Sequence, residues 1–213
     1  MSLFDTDDDS ANLQIGPASW WLRGFARRHE HAVMHALHKV MAAAPLREMT
    51  TPGGQKMSVR TTCCGDLGWV SDRRGYRYEP LNPLDGRPWP AMPSIFADIA
   101  RAAARTAGFE GFEPDACLIN QYRPGARMGL HQDRDERDFN QPIVSVSLGL
   151  PATFLFGGLN RSDRTFHMEL RHGDIVVWGG VDRLRFHGVL PLAAGRHPLT
   201  GDCRFNLTLR KAG

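Results

Sequence analysis

The sequence of 213 residues lacks the features of several protein classes. It has no continuous apolar run long enough to span a bilayer, and its N-terminus lacks the basic segment followed by an apolar stretch that is typical of a leader peptide. It also has no internal repeat and no low-complexity tract. The length suits one domain with a substantial core, so we expect a single domain over residues 1–213 without membrane contact.

Cysteine is scarce as well. The four cysteines, Cys63, Cys64, Cys117 and Cys203, lack the spacing of zinc ligands, and the neighbours Cys63 and Cys64 are poorly suited to a simple disulfide. Cys117 and Cys203 lie in apolar, strand-like runs. This pattern predicts reduced, mostly buried thiols and a cytoplasmic protein.

Strong charge of either sign is absent. The formal net charge is +3, which does not by itself identify a nucleic-acid-binding protein. Residues 1–15 are polar and acidic, and we expect them to be disordered. Apolar residues make up 42% and charged residues 23%, as in an ordinary folded protein, and we expect a monomer.

The sequence contains two helical patterns followed by many short strands. Apolar residues recur at helical spacing from Arg27 to about Ala44, before Pro45, and again from about Pro93 to Gly108. The segment between these helices is rich in glycine, proline and aromatic residues and has little periodicity. After Gly108, short apolar runs alternate with turn residues, at Ala116–Tyr122, Ile143–Leu148, Thr153–Phe156, Thr165–Leu170, Ile175–Trp178, Phe186–Leu190 and Cys203–Leu209. The pattern predicts an α+β fold, with N-terminal supporting helices and a barrel or two-sheet jelly roll.

The segment His131-Gln132-Asp133 places two potential metal ligands two residues apart. On an extended segment such residues point the same way. A distant histidine would complete a set of two imidazoles and one carboxylate, which suits Fe(II) and leaves positions for a cosubstrate and O2. We take His187, at the edge of an apolar strand, as the third ligand.

An H-x-D pair is a weak signal when it stands alone, and the sequence contains a second copy, His172-Gly173-Asp174. Here Gly173 and Asp174 immediately precede a predicted strand. Turn formation accounts for both residues, so we predict a structural role for this copy.

The C-terminal strand alternates between an apolar and a polar face. The polar face carries Arg204, Asn206, Thr208 and Arg210. A solvated strand would explain the alternation, but a solvated face rarely combines two arginines, an asparagine and a threonine without Lys, Glu or Asp. Guanidinium groups bind carboxylates through paired hydrogen bonds, and 2-oxoglutarate has a carboxylate at each end. Asn120 and Tyr122 share the face of another strand and can complete the hydrogen bonding around a buried dicarboxylate.

Taken together, these segments resemble the AlkB family of Fe(II)- and 2-oxoglutarate-dependent nucleic-acid dealkylases. The motifs are Asn120-x-Tyr122-x-Pro124-Gly125, His131-x-Asp133-x-Asp135-Glu136, His187 and Arg204-x-Asn206-x-Thr208-x-Arg210. The likeness extends from about Pro45 to the C-terminus and includes Leu67-Gly68-Trp69. Around Gln55 and Arg60-Thr61 the sequence departs from the family pattern, which affects substrate preference and not the chemistry.

The resemblance implies a fold and a set of residue roles. The fold is a double-stranded β-helix (jelly roll) catalytic core over residues 108–213, with a nucleotide-recognition lid over residues 45–90. The implied roles are iron binding and catalysis for His131, Asp133 and His187, 2-oxoglutarate binding for Asn120, Tyr122, Arg204, Asn206 and Arg210, and nucleotide contact for Trp69, Tyr76, Tyr78, Asp135 and Arg161.

The resemblance also implies oxidative removal of alkyl groups from bases such as 1-methyladenine and 3-methylcytosine. The substrate would be single- or double-stranded DNA, with RNA as a further candidate, and the reaction would pass through a ferryl intermediate and release aldehyde, succinate and CO2. Trp69 would stack on the cationic base, and Asp135 would accept a hydrogen bond from its exocyclic amine. The alternative roles are a core aromatic for Trp69 and a solvated loop acid for Asp135.

Two other functions stay open at this point. One is a small-molecule hydroxylase with the same metal core, which the aromatic and basic lid disfavours. The other is a non-catalytic jelly-roll binding module, which the complete metal and cosubstrate sets disfavour.

Overall fold

The computed structural model describes residues 12–213. Its helices are α1 (Glu30–Ala43), preceded by a short 3-10 turn at Arg27–His29, and α2 (Ser94–Thr106), and a second 3-10 turn spans Gly180–Asp182. Its strands are β1 (Leu13–Gly16), β2 (Ser19–Leu22), β3 (Arg47–Thr50), β4 (Lys56–Gly65), β5 (Gly68–Asp72), β6 (Gly75–Glu79), β7 (Ala116–Tyr122), β8 (Met128–His131), β9 (Ile143–Gly149), β10 (Ala152–Phe156), β11 (Phe166–Leu170), β12 (Ile175–Trp178), β13 (His187–Val189) and β14 (Arg204–Arg210). Among these residues, no helix is both long and apolar enough to cross a membrane.

An antiparallel sheet of eight strands, in the order β1-β2-β12-β9-β14-β7-β4-β3, forms the larger layer. Its central strand β14 is buried along its whole length and pairs with β7 on one side and β9 on the other. The alternation predicted for this strand separates two environments. Phe205, Leu207 and Leu209 belong to a core cluster that also contains residues of α1 and α2, whereas the polar residues of β14 face the opposite way.

A second antiparallel sheet, in the order β11-β10-β13-β8, lies against the other face of the large sheet. A second core cluster joins the two sheets: Phe154 and Phe156 of β10 contribute from the small sheet, and Val176 and Trp178 of β12 from the large one. The α+β class is therefore confirmed, with two antiparallel sheets that enclose a common interior and helices on the outer face of the larger sheet.

The segment 45–90 contains more regular structure than its sequence pattern indicates. Strands β3 and β4 extend the large sheet beside β7, and only the β5–β6 hairpin forms a separate two-stranded sheet. Gly68 begins this hairpin against the Trp89 ring, where a Cβ atom would clash with the indole. The glycine therefore allows the close approach that fixes the backbone of the next residue, Trp69.

The expectation of disorder over residues 1–15 is wrong for its described part. Leu13–Gly16 forms β1 and pairs with β2, which joins it to the edge of the large sheet. Residues 1–11 lie outside the described part of the chain.

Candidate active site

A cavity of about 860 Å³ lies between the two sheets and the β5–β6 hairpin. Side chains from both sheets line it, and they include all of the predicted site residues except Tyr78. The structure thus brings together residues that are as far apart in the chain as Trp69 and Arg210.

The three predicted metal ligands converge at one wall of this cavity. His131 ends β8 and His187 begins β13, and the two residues are direct partners across these antiparallel strands. Asp133 follows two residues after His131. The candidate ligand atoms of the three residues all lie within 4.8 Å of one another, and Asp133 lies 3.8 Å from His131 Nε2 and 3.6 Å from His187 Nε2.

Hydrogen bonds fix which imidazole nitrogens face the centre of this group. His131 Nδ1 lies 2.9 Å from the Gly129 carbonyl oxygen, and His187 Nδ1 lies 3.1 Å from the Arg185 carbonyl oxygen. A carbonyl only accepts, so each Nδ1 must carry the hydrogen, and the lone pair of each neutral ring is on Nε2. Both Nε2 atoms lie within 4 Å of the Asp133 carboxylate, and the Nδ1 bonds to backbone carbonyls are of the kind that orients metal-binding histidines.

The ionisation of the group also suits a divalent cation. Burial and the neighbouring His187 lower the pKa of His131 to about 4. The ring lines the cavity, so 38% of the side chain is accessible from the cavity although protein atoms surround it on its other sides. Burial by itself would raise the pKa of Asp133, but the Arg210 guanidinium and the two histidines outweigh it and hold that pKa well below its usual range. Two imidazoles whose Nε2 atoms face one ionised carboxylate form a ligand set that fits Fe(II).

The second H-x-D segment serves the fold. His172 Nδ1 accepts a hydrogen bond from the Gly149 amide at 2.9 Å, and its Nε2 lies 3.0 Å from Glu30. Asp174 accepts hydrogen bonds from the Trp21 indole and from the backbone amides of Gly24 and Arg171. These contacts agree with the structural role that we predicted for this turn.

The deepest polar side chain of the cavity is Arg204, at 1% exposure. Its Nη2 donates to Ser147 Oγ at 3.0 Å, and its guanidinium lies 5.1 Å from the centre of the Tyr122 ring. Within residues 12–213, Nε and Nη1 of Arg204 are buried without a hydrogen-bond partner, as is Asn120 Oδ1. Buried donors are rarely left unmatched, so two unpaired donors on one guanidinium fit the carboxylate of an organic acid.

The remaining predicted cosubstrate residues have different settings. Asn206 lies opposite Asn120 in the sheet and lines the cavity, but its amide already bonds to Ser145, the Val146 carbonyl and Thr208. The Arg210 guanidinium donates to Asp133 Oδ2 at 2.7 Å and to the Tyr78 hydroxyl at 3.2 Å. Arg210 therefore lies at the end of the cavity that contains the predicted metal ligands, away from Arg204.

Aromatic and acidic residues form the outer part of the cavity. The rings of Trp69 and Tyr76 stack, with centroids 5.4 Å apart and planes 13° apart. The Trp69 indole donates to Asp135 Oδ2 at 2.8 Å. Arg161 donates to the Leu130 carbonyl at 2.7 Å beside the same opening.

Tyr78 has a setting that its predicted role does not describe. Its hydroxyl donates to Glu136 Oε1 at 2.7 Å, and Tyr78 is not among the residues that line the cavity. Arg183 also bonds to Glu136, and no sequence pattern had pointed to Arg183. Glu136 was marked in the sequence only as part of the Asp135-Glu136 motif.

Comparisons with known proteins agree with this geometry. Residues 19–210 match the family model described as the 2OG-Fe(II) oxygenase superfamily. The chain is 55% identical over 192 residues to the alpha-ketoglutarate-dependent dioxygenase AlkB of Escherichia coli K12, covering 90% of this chain and 89% of that protein. It is 54% identical to the protein of the same name from Salmonella typhimurium, covering 99% and 98% of the two chains. The solved structure of OsALKBH1 superposes with a TM-score of 0.83 at 28% identity, covering 94% of this chain and all of that one.

Proposed function

The chain belongs to the 2OG-Fe(II) oxygenase superfamily and, within it, to the AlkB family of alpha-ketoglutarate-dependent dioxygenases, and from this premise we propose that it oxidatively removes alkyl groups from damaged bases in nucleic acid. The cofactors are Fe(II) and 2-oxoglutarate, with O2 as the oxidant. We assign residues 108–213 to the catalytic core and 45–90 to the segment that recognises the nucleotide. The observation that carries the proposal is the convergence, in one cavity, of a two-histidine, one-carboxylate group, a buried guanidinium with two donors unpaired among residues 12–213, and an aromatic wall with an acidic partner.

In this proposal His131, Asp133 and His187 hold the iron, and Arg204 holds 2-oxoglutarate. Bound iron with 2-oxoglutarate and O2 supplies the oxidation that hydroxylates the N-alkyl carbon, after which the hydroxylated product releases an aldehyde and restores the base. The two Nε2 lone pairs are oriented before binding because each Nδ1–H is already held by a backbone carbonyl.

We assign Arg204 to the carboxylate of 2-oxoglutarate that lies away from the metal. Arg204 and Arg210 occupy opposite ends of β14, and only Arg210 contacts the metal-site carboxylate. Tyr122 and Asn120, directly across from Arg204 and Asn206, complete the wall between these ends. Arg210 then acts on 2-oxoglutarate from the metal end, where its charge also keeps Asp133 ionised.

Trp69 and Asp135 recognise the base. N-alkylation at the ring nitrogens of adenine and cytosine gives a cation, and stacking of a cation on an indole adds roughly 0.5–2 kcal/mol. Asp135 Oδ2 is occupied by the indole of Trp69, so its other oxygen remains to accept a hydrogen bond from the exocyclic amine. Tyr76 and Arg161, at the opening, contact the strand next to the damaged base.

The substrate strand must present its base outside a helix stack. The candidate ligands lie inside a cavity between two sheets, which a base within a duplex cannot reach, so the target is single-stranded or flipped out. We propose DNA as the principal substrate and RNA as a second one. We also propose a monomer, and a reducing cytoplasm as its location, because the four cysteines are all buried and unpaired.

The test of this proposal separates it from its two alternatives. Purified protein with Fe(II), 2-oxoglutarate and an oligonucleotide bearing one 3-methylcytosine should release succinate and formaldehyde in equal amounts. A small-molecule hydroxylase predicts that Trp69→Ala combined with Tyr76→Ala leaves oligonucleotide affinity unchanged. A binding module predicts no turnover of 2-oxoglutarate by the parent protein.

A further inference from the structure

Asp133 lies on a loop that has no regular structure of its own. β8 ends at His131 and β9 begins at Ile143, and residues 132–142 between them form neither helix nor strand. A metal-binding carboxylate on such a segment depends on side-chain contacts for its position, because no ladder of backbone hydrogen bonds holds it.

Arg183 supplies these contacts from a distant part of the chain. Its side chain is 3% exposed and donates from all three of its nitrogens. Nε donates to the Gln141 carbonyl at 3.0 Å, Nη1 to the Asp133 carbonyl at 2.7 Å, and Nη2 to Glu136 Oε2 at 2.9 Å. One guanidinium therefore holds the start, the middle and the end of the loop.

Glu136 connects Arg183 to the carboxylate of Asp133. Its second oxygen, Oε1, accepts the Tyr78 hydroxyl at 2.7 Å and lies 3.3 Å from Arg210 Nε. Arg210 in turn donates to Asp133 Oδ2 at 2.7 Å. Two guanidinium groups thus face two carboxylates in a buried network, and Asp133 is held at its carbonyl by Arg183 and at its carboxylate by Arg210.

Arg183 also lies beside the second segment that bears a ligand. It is four residues before His187, and Gln132 donates from Nε2 to the carbonyl of Leu184, the residue after Arg183, at 2.5 Å. The contacts of Arg183 and Gln132 therefore join the segment of Asp133 to that of His187, although the two segments are about fifty residues apart in the chain.

We propose that Arg183 is a positioning residue of the iron site. Its hydrogen bonds to the carbonyl of Asp133 and to the carboxylate of Glu136 fix Asp133 relative to His187. The inference rests on the proposed assignment of Asp133 as an iron ligand. Arg183 is not among the residues that line the cavity, so its proposed role does not involve contact with 2-oxoglutarate or the base. Its effect is on metal affinity, because a carboxylate that is free to move must be ordered again each time the ion binds.

A purely structural role makes a different prediction. If Arg183 only stabilises the fold, disturbing its buried ion pair with Glu136 lowers the melting temperature. The metal affinity of the molecules that remain folded then stays the same. A positioning role lowers the metal affinity of protein that is still folded. Titration with Mn(II), which binds oxygen and nitrogen ligands without turnover, separates the two effects.

The experiment compares Mn(II) binding by calorimetry in the full chain and its variants. Arg183→Lys keeps the charge but cannot make three directed bonds, and we expect Mn(II) to bind about 10- to 100-fold more weakly. Arg101→Lys is the matched control, since Arg101 pairs with Glu113 on the exposed side of α2, and it should bind as the parent does. The rise in melting temperature that Mn(II) causes should shrink in Arg183→Lys alone.

Two further variants keep the outcomes distinct. An Mn(II) affinity of folded Arg183→Lys within about threefold of the parent overturns the inference. If Arg183→Lys does not fold, Glu136→Gln, which keeps the volume and loses the charge, is judged by the same threshold. Asp133→Ala tests the premise. If this variant binds Mn(II) as the parent does, the proposed iron site itself is overturned. If Asp133→Ala loses Mn(II) binding while Arg183→Lys binds Mn(II) as the parent does, only the positioning role is overturned.

Discussion

Replacement of Arg204 by lysine should weaken 2-oxoglutarate binding more than any comparable change of an exposed arginine. Nε and Nη1 of Arg204 are buried without partners among the described residues, and Nη2 bonds to Ser147. A carboxylate can satisfy both unpaired donors at once, through charge-assisted hydrogen bonds of about 1.5–3 kcal/mol each. A lysine ammonium can replace only one of them.

The expected loss is therefore about 2–3 kcal/mol, or roughly 30- to 150-fold in the dissociation constant of 2-oxoglutarate. The free energy of unfolding of the protein without 2-oxoglutarate should fall by about 1 kcal/mol, because the substitution removes the Nη2 bond to Ser147 as well as the two donors that have no partner. The assay is a calorimetric titration of 2-oxoglutarate into Mn(II)-loaded protein, with Arg101→Lys as the control substitution.

A second ligand separates the role of Arg204 from a general disturbance of the cavity. Pyruvate has the 2-oxo acid group but lacks the distal carboxylate, so it should bind the parent more weakly than 2-oxoglutarate does. Its dissociation constant should be nearly the same for Arg204→Lys and for the parent. The reasoning is refuted if 2-oxoglutarate affinity falls by less than about threefold, or if pyruvate binding falls as much as 2-oxoglutarate binding.

Three further predictions concern the metal site, the base platform and the pH dependence of stability. His131→Ala should abolish Mn(II) binding, whereas His172→Ala should keep it; loss of the ion in His172→Ala would show that the wrong H-x-D was chosen. Trp69→Ala should weaken binding of a methylated oligonucleotide by about 1–3 kcal/mol, while Trp69→Phe, which keeps a ring but loses the hydrogen bond to Asp135, should fall between it and the parent; equal affinity of all three proteins would remove Trp69 from the site. Burial and the stacked His197 lower the pKa of His172, so its contribution to stability is present above its ordinary pKa of about 6.5 and is lost as the pH falls below it. Thermal melts should therefore show a decline on acidification that is smaller in His172→Gln, and an undiminished decline would contradict this assignment.

The polar face of β14 could be predicted from sequence because its environment is periodic. Phe205, Leu207 and Leu209 must face the helices, which forces Arg204 and Asn206 into the opposite layer. The same reasoning placed Asn120 and Tyr122 on one face of β7, and the helical spacing placed α1 and α2 close to their observed bounds.

Strands that lack periodic apolar residues could not be predicted in this way. β4 has buried residues at several consecutive positions because it is covered on both faces, and β5 and β6 form a hairpin whose polar residues hide the alternation. β1 was missed because the acidic start of the chain suggested disorder over residues 1–15, and no prediction was made for β2; the two strands pair with each other, and β2 pairs with β12.

The contacts that support the site depend on tertiary structure and left no pattern in the sequence. The position of Arg210 against Asp133, of Tyr78 behind the cavity and of Arg183 beneath the loop each joins segments that are distant in the chain. The Asp135-Glu136 motif did not distinguish the environments of its two acids, yet Asp135 lines the cavity and Glu136 is buried at 6% exposure. Residue type and spacing could identify the donors but not the partner that each donor would find.

The most direct measurement of the central claim is formaldehyde release from matched DNA and RNA oligonucleotides, each bearing a single 1-methyladenine or 3-methylcytosine. With Fe(II), 2-oxoglutarate and O2, the parent protein should release formaldehyde and succinate in equal amounts and restore the base, and Asp133→Ala should do neither. Consumption of 2-oxoglutarate without formaldehyde from any of these substrates, or repair that persists in Asp133→Ala, would contradict the account.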